Sequence, residues 1–395
     1  MVQDPRLLTI HRWLLSEDAN GIGPIRAGEQ LCRRLIEMGV PLSRGHVLVL
    51  TIHPLYHGRS FLWTREQGVQ ERNWPHGIQQ QPGWRESLFR DLIEGDIGPQ
   101  CRFDLSDPNA GAGYVLTEEL RREGTTDYLA FRLHFADGSA HAASFATCAP
   151  GGFTEADRTL LFGLERILAL RLEGAIKRLL TTTILSTYLG KHAADRVLRG
   201  DIRRDNMETT SAAIWMSDLR GFTALSDTLP PKTLLDLLGN YFTLVVEAVQ
   251  GEGGEVLKFI GDAVLAVFRV EDGSPSEACS AAARAVRTLR TRLAEHNATR
   301  VEEGKAPIVH GLGLHFGQVS YGNVGSQDRL DFTVIGRTVN MASRIEGLCK
   351  HVGQSVLMSE VFAQHLSIPI EPFGSHSVRG VSEPVTVYGL PEFLD

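Results

Sequence analysis

Ala212-Ala213-Ile214-Trp215-Met216-Ser217-Asp218-Leu219-Arg220-Gly221-Phe222-Thr223 is the stretch on which the fold turns. A short apolar run stops at an acid, and a glycine follows, which predicts a buried strand, a turn and a helix. Glu255-Val256-Leu257-Lys258-Phe259-Ile260-Gly261-Asp262-Ala263-Val264-Leu265-Ala266-Val267-Phe268 predicts two apolar strands folded at Gly261-Asp262. Asp331-Phe332-Thr333-Val334-Ile335-Gly336-Arg337-Thr338-Val339-Asn340-Met341-Ala342-Ser343-Arg344 predicts a strand, a glycine turn and a helix. That helix carries Asn340 and Arg344 four residues apart, on one face. Helices are predicted from Pro231 to Gln250 and from Ser276 to about His296, with a strand from Val309 to Phe316. Strands and helices in this order are expected to form an α+β domain.

Taken together, these stretches resemble the catalytic domain of the class III nucleotidyl cyclases, from about Thr210 to about Leu390. The resemblance implies a ferredoxin-like βαββαβ core and a reaction in which the ribose 3'-hydroxyl of a nucleoside triphosphate attacks the α-phosphorus and pyrophosphate leaves. Asp218 and Asp262 then hold two divalent cations, Mg²⁺ or Mn²⁺; alone, the first reads as a helix cap and the second as a turn residue. Two oxygen-donating carboxylates suffice for Mg²⁺, which keeps water and phosphate in its shell. The backbone N–H groups of Leu219, Gly221, Phe222 and Thr223 face the phosphates at a helix start. Arg344 takes the charge of the transition state, because a guanidinium forks onto two phosphate oxygens. Asn340 orients the ribose.

Lys258 and Thr333 stand at the family's base-reading positions. A lysine donor and a threonine acceptor match N1 and the amino group of adenine, whereas guanylate cyclases resemble this site with Glu and Cys there. ATP and cyclic AMP are therefore expected, and Thr333 places the chain with the threonine-bearing, class IIIb-like members. The resemblance also implies a homodimer with sites at its interface, where the acids of one protomer face Lys258, Thr333, Asn340 and Arg344 of the other. Two departures stand out: Arg337 replaces an Asp common in relatives, and Arg379 holds a basic position where triphosphate contact is one reading and a surface arginine the other. Competing functions are a guanylate cyclase, a catalytically silent nucleotide-binding regulator and a diguanylate cyclase. The last needs a second acid that Gly253-Gly254-Glu255-Val256 lacks.

Upstream, a small helix and linker are expected over 1–24, a sensor domain over 25–175, a signalling helix and connector over 176–209, and the cyclase domain over 210–395. Helical spacing runs from Ile25 to Val40, and strands are expected over His46 to Trp63, joined near His57-Gly58. A hairpin is expected from Tyr128 to Thr147 with its turn at Asp137-Gly138, and helices near Arg85 to Glu94 and Leu116 to Glu123. This order of helix, strands, variable middle, strands and helix resembles a GAF-type sensor, with a PAS-type sensor the alternative. Thr154 caps the next helix with an acid three residues on, and Leu161, Leu164, Leu168, Leu172, Ala175 and Leu179 draw one apolar stripe along it. The charged run Lys191 to Met207 is expected to be an exposed connector. His53, His57, His76 and His134 read as satisfied or surface histidines rather than metal ligands. Tyr56, Phe61, Trp63, Trp74 and Trp84 read as core or as the wall of a pocket for an unidentified small-molecule or protein signal.

The totals fit this reading. The 395 residues allow two domains, 43% of them are hydrophobic, and 40 Lys plus Arg against 47 Asp plus Glu leave a net charge of -7. That balance argues against a general nucleic-acid binder, which needs a basic surface. No run reaches membrane-spanning length without charge. Five scattered cysteines, no secretory signal and no Cys-x-x-Cys pair lead us to expect a cytoplasmic protein.

Overall fold

The computed structural model describes residues 4–391 apart from 17, 19, 20, 51–55, 204–206 and 271–273. The chain divides into two units, Met1–Ile184 and Leu185–Asp395. In the first, α1 (Pro5–Leu14) and α2 (Gly23–Glu37) precede β1 (Arg44–Leu50), β2 (Tyr56–Thr64) and β3 (Gly68–Pro75). A helical middle follows with α3 (Pro82–Arg85), α4 (Leu88–Glu94) and, after β4 (Gln100–Asp104), α5 (Val115–Arg122). β5 (Asp127–His134) and β6 (Ala140–Thr147) then lead into α6 (Glu155–Gly163) and α7 (Glu165–Leu189).

The six strands form one antiparallel sheet in the order β3-β2-β1-β6-β5-β4. Alternation puts Leu129, Phe131 and Leu133 on one face, against Leu31, Leu35, Leu160 and Leu164 of the flanking helices. Tyr128 and Ala130 lie on the other face with Leu88, Leu92 and Leu120. The expected β5–β6 hairpin is present, with Gly138 at φ 82 in its turn. The strand junction expected at His57-Gly58 is not there: both residues lie inside β2, so β1 and β2 are joined before Tyr56. β3 and β4, whose exposed residues dilute the apolar pattern, were not anticipated. His53 lies outside the described residues.

Thr154 makes the expected capping box with Asp157. The helix it starts is broken at Leu164, where Gly163 lies against α1; a Cβ there would come within 2.8 Å of Leu7. Past the break, burial in α7 is confined to Ile167, Leu168 and Ala169, while Leu179, Ile184 and Tyr188 are exposed. The stripe thus closes the core of this unit through Leu168, with Leu172 half-buried against it and Ala175 and Leu179 lining an apolar cavity with Leu31, Cys32 and Trp63.

The second unit takes in the end of α7 from Leu185, then α8 (Lys191–Leu198), β7 (Met207–Leu219), α9 (Phe222–Thr228), α10 (Pro231–Gly251), and the hairpin of β8 (Glu255–Ile260) and β9 (Ala263–Arg269). α11 (Pro275–Glu302), β10 (His310–Gly325), β11 (Leu330–Ile335) and α12 (Arg337–Val352) follow. β12 (Val356–Ser359), α13 (Glu360–Ala363), β13 (Glu371–His376) and β14 (Val385–Gly389) end it. The sheet runs β13-β14-β12-β10-β7-β9-β8, with β11 pairing on β10. Its β7-α10-β8-β9-α11-β10 part is the expected βαββαβ succession. β7 alternates: Ala213, Trp215 and Leu219 pack under α10 and α11, whereas Ala212, Ile214 and Met216 pack on the opposite face with Ala342 of α12.

The expected exposed connector is corrected here. Lys191–Leu198 is helical, Ala193 and Ala194 are fully buried, and His192 Nδ1 lies 2.8 Å from the Tyr321 hydroxyl. The two alanines let the helix approach the sheet, and Arg196 lies over the Tyr321 and Phe332 rings of that sheet.

Candidate active site

The unbroken buried run of β7 stops at Ser217, so Asp218 is carried to the C-terminal end of an interior strand with its backbone in register against Gly311 of β10. Gly221, at φ 74, makes the turn that starts α9, a conformation for which glycine has no Cβ penalty. The β8–β9 hairpin turns at Gly261, φ 65, and puts Asp262 beside Asp218. Burial first, then contact with the Asp262 carboxylate and the charges of Asp262 and Glu346, push the Asp218 pKa up to about 7. Asp218 Oδ1 is buried and has no hydrogen-bond partner. Paired carboxylates with an unsatisfied buried oxygen are the donor set that a hard divalent cation fits.

Arg220 and Glu346 were not anticipated. Arg220 Nη2 lies 3.0 Å from Glu346 Oε1 and donates to the Glu346 carbonyl oxygen at 3.2 Å. Gly311 and Gly313 of β10 make the space. A Cβ at Gly311 would fall 1.8 Å from Arg220 Nη2, and one at Gly313 would fall 2.3 Å from the Ala342 carbonyl oxygen of α12. The signal in the sequence was the Gly311-Leu312-Gly313 alternation within a strand, which marks close approach by another element.

Lys258 and Thr333 meet in a cavity of about 580 Å³ that is also lined by Ile260, Leu265, Arg329, Asp331 and Ile335. Thr333 is buried, and the Lys258 ammonium lies 3.0 Å from Asp331 Oδ2. Neither Asp218 nor Asp262 lines this cavity. Lys258 thus lines this cavity, and Asp262, four residues on, lies beside Asp218 instead. Asn340 is exposed on the first turns of α12, and Arg344, one turn on, has its guanidinium near Gly380. That contact brings the exposed Arg379 into the neighbourhood of α12. Of the segment expected to face the phosphates, Leu219 ends β7 rather than starting a helix, with its side chain in the core, and the Arg220 N–H donates to the Val309 carbonyl at 2.8 Å. Gly221 and Thr223 are exposed and Phe222 is half-buried. Arg337 is exposed.

Elsewhere, His57 interacts with Gln79, and among the described residues no group of three or more His, Cys, Asp or Glu could hold a metal ion. No helix among the described residues is long and apolar enough to cross a membrane.

The model of the family described as adenylate and guanylate cyclase catalytic domain matches residues 205–391. The chain is 35% identical over 195 residues to an adenylate cyclase of Anabaena cylindrica, a match that covers 48% of this chain and 38% of that protein. It is 32% identical over 174 residues to adenylate cyclase 1 of Rhizobium meliloti (strain 1021), covering 44% of this chain and 26% of that protein. Among solved structures, the adenylyl cyclase CyaB from P. aeruginosa is 28% identical with a TM-score of 0.44, covering 48% of this chain and 100% of that one. The chain spans less than half the length of either relative. The family match and these relatives support a class III adenylate/guanylate cyclase catalytic domain in the second unit.

Proposed function

We propose that the second unit is an adenylate cyclase of the threonine-bearing subclass, making 3',5'-cyclic AMP and pyrophosphate from ATP under control of the first unit. The observation that carries this reading is the Asp218–Asp262 pair: two acids held together at the end of a buried strand, one oxygen left without a donor. Mg²⁺ or Mn²⁺ ions bound there would neutralise charge developing on phosphate oxygens. The turn from Leu219 to Thr223 receives the β- and γ-phosphates. Lys258 donates to N1 of adenine and Thr333 accepts from its amino group, while Asn340 orients the ribose. Arg344 stabilises the charge at the α-phosphate, and Arg379, next to Gly380, is a second cation for the triphosphate.

A homodimer completes the site, because the acids and the base cavity are apart within one protomer. Phe259, Ile260 and Ile335, about half exposed at the hairpin and beside the cavity, are apolar surface suited to such an interface. For the first unit we propose a GAF-like sensor on the strength of its element order, with a signal of unknown identity. Supplying ATP and GTP in parallel with Mg²⁺ or Mn²⁺, beside Asp262→Ala, tests the reading. Cyclic AMP from the wild type and none from the variant supports it. Cyclic GMP instead would make the protein a guanylate cyclase and sink the roles of Lys258 and Thr333. No product, even from a fragment starting at Lys191, would favour the silent regulator.

A further inference from the structure

Arg220 is a cation two residues from one of the metal acids, and a free guanidinium there would be a competitor for the very carboxylates that a cation needs. It is not free. Glu346, whose side chain is 11% exposed, holds it at 3.0 Å, and the Glu346 carbonyl oxygen accepts from the same Nη2. The pair occupies the space above Gly311, the cross-strand neighbour of Asp218, where a Cβ would fall 1.8 Å from Arg220 Nη2 and 2.5 Å from Glu346 Oε1. Cross-strand neighbours project to the same face, so ion pair and acid share one side of the sheet.

We propose that Glu346 is a positioning residue of the metal site: it keeps the Arg220 guanidinium off Asp218 and Asp262, and it ties the turn after β7 to α12. α12 carries Asn340 and Arg344, so one helix braces the acids of one site and supplies side chains to the other. The inference rests on the metal-site reading above.

The test is direct Mn²⁺ binding by calorimetry to the metal-free full-length protein at pH 8, with turnover measured alongside. Glu346→Gln is expected to weaken Mn²⁺ about tenfold, a change of about 1.4 kcal/mol. The double variant Arg220→Gln/Glu346→Gln is expected to recover most of that loss, because the competing cation is gone. Glu346→Asp keeps the charge but withdraws it by a methylene. Weakened Mn²⁺ binding in this variant supports positioning, and unchanged binding overturns it in favour of a simple field effect. Unaltered affinity in Glu346→Gln, or a double variant no better than the single, overturns the inference as well. Failure of the underlying reading looks different: Asp262→Ala would then bind Mn²⁺ as the wild type does.

Discussion

In the proposed metal site, Asp218 ties the chemistry to pH. Its pKa is raised from 3.8 to about 7, so in the metal-free fold it binds a proton more tightly than in the unfolded chain. The stability from that proton is fully present below about pH 4, is lost as pH rises to about 7, and stays lost above. Asp218→Asn is therefore expected to abolish turnover while raising the melting temperature of the metal-free protein at pH 8 by a few degrees, on the order of 2–4 °C per kcal/mol for a unit of this size. At pH 5 the gain should shrink, and a gain independent of pH would contradict the assigned strain. Base reading is tested at the same scale. Lys258→Glu with Thr333→Cys is expected to lower turnover of ATP at least tenfold and raise the GTP to ATP ratio; an unchanged ratio would mean that these side chains do not read the base. The pairing of Asp218 with Asp262 and of Lys258 with Thr333 was legible because each residue lies in a local motif that resembles the cyclase family's. Glu346 was not, since its partner Arg220 is 126 positions away and only the folded sheet puts the two together.

At the scale of elements, legibility followed local pattern in the same way. The β8–β9 hairpin, the β7 terminus and α12 each carry their own turn residue, so their positions could be read directly. α8 could not be read. Its alternating charges resemble a solvated connector, and the two small residues that dock it, Ala193 and Ala194, have no weight in a hydrophobic pattern. Ala194→Asp would put a charge into a site with no room or partner for it. Hydrogen exchange of amides 191–198 in the intact protein should rise at least tenfold in that variant if the helix is docked as described, and stay as in the wild type if it is an exposed connector. The glycines of β10 make a second element-level argument. Gly311→Ala must displace the Arg220–Glu346 pair, and overpacking of this kind costs about 1–3 kcal/mol. The expected result is a lower unfolding midpoint together with weaker Mn²⁺ binding. A lower midpoint with undisturbed Mn²⁺ binding would separate the packing of α12 from the metal site.

For the whole molecule, the division of labour inside one protomer has a consequence that mixing can measure. Lys258 and Thr333 line a cavity that excludes Asp218 and Asp262, so each complete site of the proposed homodimer takes its acids from one copy and its Lys, Thr, Asn and Arg from the other. Asp262→Ala and Arg344→Ala should each be inactive as a homodimer. In a mixed dimer both defects fall in one site, and the other site takes Asp262 from the second copy and Arg344 from the first, so it is intact. Two-fold symmetry and random exchange make half of the dimers mixed, each with one working site, which sets the expected activity of an equal mixture at about a quarter of the wild type. Sites built wholly within one protomer would leave the mixture as inactive as its parents. An equal mixture of Asp218→Ala and Asp262→Ala is the control: both acids belong to the same half of each site, so every site in every dimer lacks one of them. Recovery in the first mixture and silence in the second would locate the acids on one copy and Arg344 on its partner.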